Sequence, residues 1–207
     1  FGLGLSGGCV ALAAMGAGTG GQVVGYARSE ATRAKALELQ LVDSIEESAA
    51  EAVRDADLVV LCVPVGAMAV VAEEIAPALK PGATVSDAGS VKASVIAAVA
   101  PHLPDNVHFI PGHPLAGTEH SGPEAAFREL YANRWTILTP LEGADPDAVK
   151  KLREVWESCG ANVDEMDPQR HDLVLAVTSH TPHLIAYTMV GVADEMRRVT
   201  SSEVVKY

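Results

Sequence analysis

Gly2-Leu3-Gly4-Leu5-Ser6-Gly7-Gly8 opens the chain as a G-x-G-x-x-G run, and the reading of these residues decides the fold. Glycine lets the backbone turn tightly and lets another group come close, so the run suits a junction between a strand and a helix. Residues 8–17 continue it as a helix, and residues 22–27 then read as a strand. Alone, the run is weak evidence, because a helix-packing glycine cluster looks the same. In this context it favours a turn whose helix-start N–H groups bind a pyrophosphate. The strand that should precede Gly2 is reduced to Phe1, and a chain that starts inside a motif is expected to be a fragment.

Outward from that turn, short strands alternate with helices. Strand candidates fall at 22–27, 58–63, 83–86, 107–110, 135–138 and 161–165, and helix candidates at 8–17, 30–39, 66–79, 92–100 and 146–158. Near-continuous apolar strands separated by helices imply a parallel sheet covered on both faces. The expected fold class is α/β, a Rossmann-like doubly wound parallel sheet. After Asp167 the pattern changes: from His171 to Met196 apolar residues recur only at helical spacing. The expected organisation is a dinucleotide-binding domain over 1–167 and the opening of an all-helical domain over 168–207.

Bulk properties exclude several classes. The 207 residues are 48% hydrophobic, enough for a packed core, and carry a net charge of -12. Gripping a phosphate backbone needs surplus Lys and Arg, so no nucleic-acid partner is expected. Nor does an acidic surface gain anything at an anionic membrane. Cys9, Cys62 and Cys159 are odd in number and widely spaced, which fits a reducing cytosol and neither a disulfide scaffold nor a zinc site. The first eighteen residues are apolar but hold six glycines and no basic flank, so a signal peptide is rejected. No later run looks long and uninterrupted enough to span a bilayer, and a cytoplasmic protein is expected.

Ligands in open parallel sheets lie beyond the carboxyl ends of the strands. At the end of the second strand, where a carboxylate would bind a ribose hydroxyl, stands Tyr26-Ala27-Arg28-Ser29. Ala27 cannot accept that bond, while Arg28 and Ser29 suit a 2'-phosphate, so NADP is expected in preference to NAD. Val63-Pro64 ends the next strand as an apolar ledge for the cofactor. Asp87-Ala88-Gly89-Ser90-Val91-Lys92 follows the fourth; Ser90 either meets a substrate or caps the helix after it. His113, held between Gly112 and Pro114 in a glycine-punctuated loop, is constrained as an acid/base group near neutral pH should be. Ser179-His180-Thr181-Pro182-His183 puts two histidines three residues apart, on one helix face. With no matching third ligand nearby, substrate contact is favoured over a metal, and no metal is expected. His171 stands out less.

Taken together, GLGLSGG at 2–8, DAGSVK at 87–92, GHPLAGTEHSG at 112–122 and SHTPHLIAYTMV at 179–190 resemble the prephenate/arogenate (cyclohexadienyl) dehydrogenase family. The resemblance covers essentially the whole chain, and the last three motifs are specific. It implies NAD(P)-dependent oxidative decarboxylation of prephenate or arogenate in tyrosine biosynthesis. It implies that His113 accepts the proton of the ring hydroxyl, that Ser90 supports it, and that Ser179, His180 and His183 line the substrate pocket. Gly2, Leu3, Gly4, Leu5, Ser6 and Gly7 would form the pyrophosphate turn. It further implies a homodimer at full length, and a carboxylate-binding arginine beyond Tyr207. Ser6 and Cys9 depart from the family pattern, standing where a large aliphatic and a small hydroxyl residue are usual. The competing readings are a β-hydroxyacid dehydrogenase or imine reductase, which rely on a lysine or aspartate where His180 and His183 stand, and a non-catalytic dinucleotide sensor, which has no use for His113.

Overall fold

A computed structural model of the chain describes residues 2–18 and 21–200. Phe1, and with it the expected preceding strand, lies outside the described residues.

Helix α1 (Leu5–Ala17) starts at Gly4 and ends at Gly18, whose left-handed φ of 64° closes it. Strand β1 (Val24–Gly25), helix α2 (Glu30–Glu38), strand β2 (Ser44–Ile45) and helix α3 (Ala49–Val53) follow. Next come β3 (Leu58–Leu61), α4 (Met68–Ile75), β4 (Thr84–Asp87), α5 (Ala93–Val99) and β5 (His108–Phe109). The sheet ends with β6 (Gly112–Pro114), β7 (Trp135–Leu138), α6 (Pro146–Ser158) and β8 (Asn162–Glu165). Helix α7 (Pro168–Leu175), a wide turn (Ala176–His180) and α8 (Thr181–Thr200) complete the described chain.

β1 pairs with β2, and β3-β4-β5 form a second run, all parallel. One expectation is corrected here. β6 pairs with β7 antiparallel, and β8 lies parallel to β7, so this third run of strands, not hydrogen-bonded to the other two, is mixed. The cause is local. The chain continues from β5 through Pro111 into β6, so the Gly112-His113-Pro114 motif is itself a strand and not only a loop after one. Its neighbour β7 then runs back along it, tied also by the Thr139 N–H to the Pro111 carbonyl at 2.9 Å.

Two cores cover opposite faces, as alternating side chains require. Val53, Val59, Leu61, Met68, Ile75, Val85 and Val99 join α3, α4 and α5 to one face. Cys9, Ile110, Tyr131, Leu138, Leu152 and Trp156 join α1 and α6 to the other. In α6, Ala148, Val149, Leu152 and Trp156 form the inward stripe at helical spacing, and Asp145 caps the helix through the Asp147 and Ala148 N–H groups. Truncating Trp156 to alanine would cost about 3–5 kcal/mol.

The last helix corrects a second expectation. Pro168–Val199 runs for 32 residues and is apolar enough, by length and composition, to cross a membrane. Apolar side chains at separate positions sum to that score although Thr178, Ser179, His180, Thr181 and His183 interrupt them. Those polar groups would be expensive in hydrocarbon, which weighs against a span.

Candidate active site

The glycine turn is set by contact. A Cβ on Gly7 would sit 2.0 Å from the Gly2 carbonyl, and one on Gly2 would sit 2.3 Å from the Cys62 carbonyl. These positions therefore tolerate only glycine, and they press the turn against the end of β3, with Val63 alongside. A Cβ on Gly4 meets nothing within 4 Å, so the open side of the turn faces outward. The first intrahelical bond runs from the Gly8 N–H to the Gly4 carbonyl, which leaves the N–H groups of Leu5, Ser6 and Gly7 without helical acceptors. No acidic residue stands in this first turn. The arrangement fits a bound pyrophosphate.

Other expected residues divide. Leu3 is buried in a small core with Ala27 and Leu41, so its side chain packs and only its backbone serves the turn. Tyr131 donates to the Ser6 carbonyl at 2.9 Å. Cys9 accepts the Phe127 N–H at 3.2 Å, a bond that a hydroxyl could also accept. Ser29 caps α2 through the Thr32 N–H, at 3.4 Å, and Arg28 is exposed beside it. Arg33, not anticipated, places its guanidinium on the Ala27 and Arg28 carbonyls at 2.7 and 3.1 Å, adding positive charge at this strand end. Pro64 is exposed after β3.

Ser90 is exposed and does not cap α5. The alternative role weighed for it is thereby excluded. Asp172, eighty residues further on, caps that helix: its carboxylate accepts the Lys92 N–H at 2.7 Å and the Ala93 N–H at 2.9 Å.

Around His113 the structure gathers residues that sequence reasoning missed. Lys92 and Asp87 form a fully buried ion pair. The Lys92 ammonium also donates to the Gly112 carbonyl, immediately before His113. Asp87 further accepts the Gly89 N–H at 2.7 Å and the Gly112 N–H at 3.2 Å. Burial pushes the Asp87 carboxyl up and the Lys92 ammonium down, and each one's charge opposes that displacement. His113 is buried, with Nδ1 2.9 Å from Nε2 of the fully buried His171. His171 Nδ1 in turn lies 2.8 Å from Asp172 Oδ1. Burial, then the charges of His171, Lys92 and His180, lower the His113 pKa to about 3, with Asp172 opposing. Its ring is neutral at ordinary pH.

The residues expected on one helix face also divide. The wide turn at Ala176–His180 precedes Pro182, whose ring crowds the carbonyl four residues earlier and has no N–H to offer it. His180 is half-buried and near enough for its charge to act on His113. His183 is exposed, its Nδ1 3.0 Å from the Ser179 carbonyl. Ser179 is half-buried.

A doubly wound sheet with an outward-facing glycine turn, and a braced histidine in a strand beyond it, defines a nucleotide-binding domain of the Rossmann class. The family model for the prephenate dehydrogenase nucleotide-binding domain matches residues 10–165. The chain belongs to the prephenate dehydrogenase family. It is 42% identical over 182 residues to the cyclohexadienyl dehydrogenase of Zymomonas mobilis, covering 88% of this chain and 62% of that protein. It is 35% identical over 190 residues to the prephenate dehydrogenase of Bacillus subtilis, covering 91% and 51%. Among solved structures, the Aquifex aeolicus prephenate dehydrogenase in complex with hydroxyphenyl propionate and NAD+ superposes with a TM-score of 0.87 at 35% identity, covering 94% of this chain and 68% of that one. The Synechocystis arogenate dehydrogenase superposes at 0.83 with 29% identity, covering 99% and 74%. The chain thus spans between half and two thirds of the curated relatives' length.

Proposed function

We propose that the full-length protein is a cytoplasmic oxidoreductase of tyrosine biosynthesis. It converts prephenate to 4-hydroxyphenylpyruvate, arogenate to tyrosine, or both, with loss of CO2, and prefers NADP to NAD. The observation that carries this reading is His113: a neutral, buried imidazole in β6, held by His171 on one side and by the Lys92–Gly112 contact on the other.

The residues present support each step. The N–H groups of Leu5, Ser6 and Gly7, with the backbone of Gly2, Leu3 and Gly4, hold the pyrophosphate. Arg28 and Arg33 would hold the 2'-phosphate, and Val63 and Pro64 would offer the cofactor an apolar ledge. A nicotinamide bound there would supply the acceptor for the hydride of the ring carbon. His113 accepts the hydroxyl proton as the carbonyl forms; the electron pair of the bond to the ring carboxylate then passes through the ring onto that oxygen as CO2 leaves, and the aromatic phenolate takes a proton back. General-base help of this kind is worth about 10²–10⁴-fold. Ser90 and Ser179 hydrogen-bond the substrate. His180 and His183 line its pocket from the helical region, which we take to begin at residue 168 as a separate domain.

A homodimer at full length is part of the same proposal. A sedimentation mass of one protomer would count against that.

The test is turnover by the full-length protein with prephenate and arogenate, each with NADP and NAD, followed by nicotinamide absorbance. Turnover with either substrate supports the reading, and a tenfold preference for NAD would remove the cofactor assignment. Silence in all four, from folded and cofactor-bound protein, returns the choice to the other dehydrogenases or the sensor.

A further inference from the structure

We infer that His171 and Asp172 are positioning residues that dictate which ring nitrogen of His113 carries its proton, leaving Nε2 bare to accept one from the substrate. The inference rests on the reading of His113 as the base and deepens it.

The chain of contacts has one consistent proton assignment. Asp172 is ionised: partial burial works against its charge, but the Lys92 and Ala93 N–H groups and the His171 ring more than offset that, and its pKa is lowered. An ionised carboxylate only accepts, so the proton in the 2.8 Å contact with His171 sits on His171 Nδ1. Burial lowers the His171 pKa, which keeps that ring neutral, so its Nε2 carries a lone pair. That lone pair lies 2.9 Å from His113 Nδ1. The contact is a hydrogen bond only if His113 donates, so His113 carries its proton on Nδ1. A neutral ring holds one proton, and Nε2 is therefore an acceptor.

The same carboxylate anchors the relay. Asp172 caps α5 while standing in the first turns of α7, so the opening of the helical region is fastened to the sheet at this point. When the substrate O–H bond breaks and an N–H bond forms at Nε2, the Nδ1 proton stays on the bond to His171. The new positive charge faces His171, Lys92 and His180, which oppose it, and Asp172, which favours it. A carboxylate that fixes a histidine's tautomer and orientation is the logic of a catalytic triad, here with a second imidazole interposed.

The experiment uses the full-length protein with ¹⁵N-labelled histidine. The His113 ring is assigned through the His113→Asn spectrum, and kinetics are run on Asp172→Asn and Asp172→Glu. Asparagine keeps the shape and the capping oxygen, so the fold is retained. We expect an Nδ1–H tautomer in the wild type. Asp172→Asn should lower kcat about a hundredfold or more with KM and cofactor affinity within about threefold, and Asp172→Glu should recover part of the loss. An Nε2–H tautomer in the wild type, or an Asp172→Asn enzyme with kcat close to wild type, would overturn the relay. A wild type with no turnover would instead defeat the functional reading, while the tautomer measurement still judges the relay.

Discussion

Lys92 illustrates how much can hang on one side chain. Its ammonium is fully buried against Asp87 and the Gly112 carbonyl, so it ties the end of β4 to the start of β6. Breaking a buried pair leaves one charge without compensation, at a cost of about 3–5 kcal/mol. Lys92→Met should therefore lower the unfolding free energy by about that amount in denaturant titration. A loss below about 1 kcal/mol, the scale of an exposed pair, would show that the contact is only superficial. Residues of this kind were half legible. DAGSVK drew notice, but for Ser90, because a serine at a strand end suggests chemistry. The stronger signal was a lysine and an aspartate five apart in an otherwise buried segment. His171 was likewise set aside, yet it stands four residues before the buried Leu175 on α7. A histidine on an inward helical stripe must find a partner, and its partner is His113, 58 residues earlier. Spacing along the chain does not disclose that meeting.

At the level of elements, the glycine turn gives the sharpest expectation. Gly7→Ala would drive a Cβ into the Gly2 carbonyl, which is backbone and cannot swing aside. The turn must open, so cofactor affinity should fall about tenfold or more, measured by quenching of intrinsic fluorescence on titration with NADP. Unchanged affinity would mean that the turn does not form the phosphate site. The long alternating elements, such as α6 with its Asp145 cap and Pro146 start, were readable in the sequence because local signals agree with the tertiary ones. β2, at two residues, and α3, at five, were not read. For α3 a signal existed: Ser48 caps the helix, its hydroxyl accepting the Glu51 N–H at 3.2 Å and donating to the Glu51 carboxylate at 2.9 Å. The antiparallel pairing of β6 was not readable, because sheet direction there depends on where β7 returns.

Over the whole molecule, the buried histidines link stability to pH. The His113 pKa falls from 6.5 to about 3 on folding. Between those values the unfolded chain binds a proton that the folded chain refuses, so stability rises with pH across the window. The contribution is complete above pH 6.5 and is lost as pH falls toward 3. In the His113→Asn variant the unfolding free energy should depend less steeply on pH within that window; an identical slope would show that His113 titrates normally.

If His113, poised by this architecture, is the proton acceptor of a dehydrogenase, its loss must slow turnover without loosening the cofactor. The most direct measurement is kcat for the full-length protein and its His113→Asn variant on prephenate or arogenate, with cofactor Kd measured alongside. We expect kcat to fall by about 10²–10⁴-fold while Kd for the cofactor stays close to wild type. A variant that turns over at near the wild-type rate would contradict it.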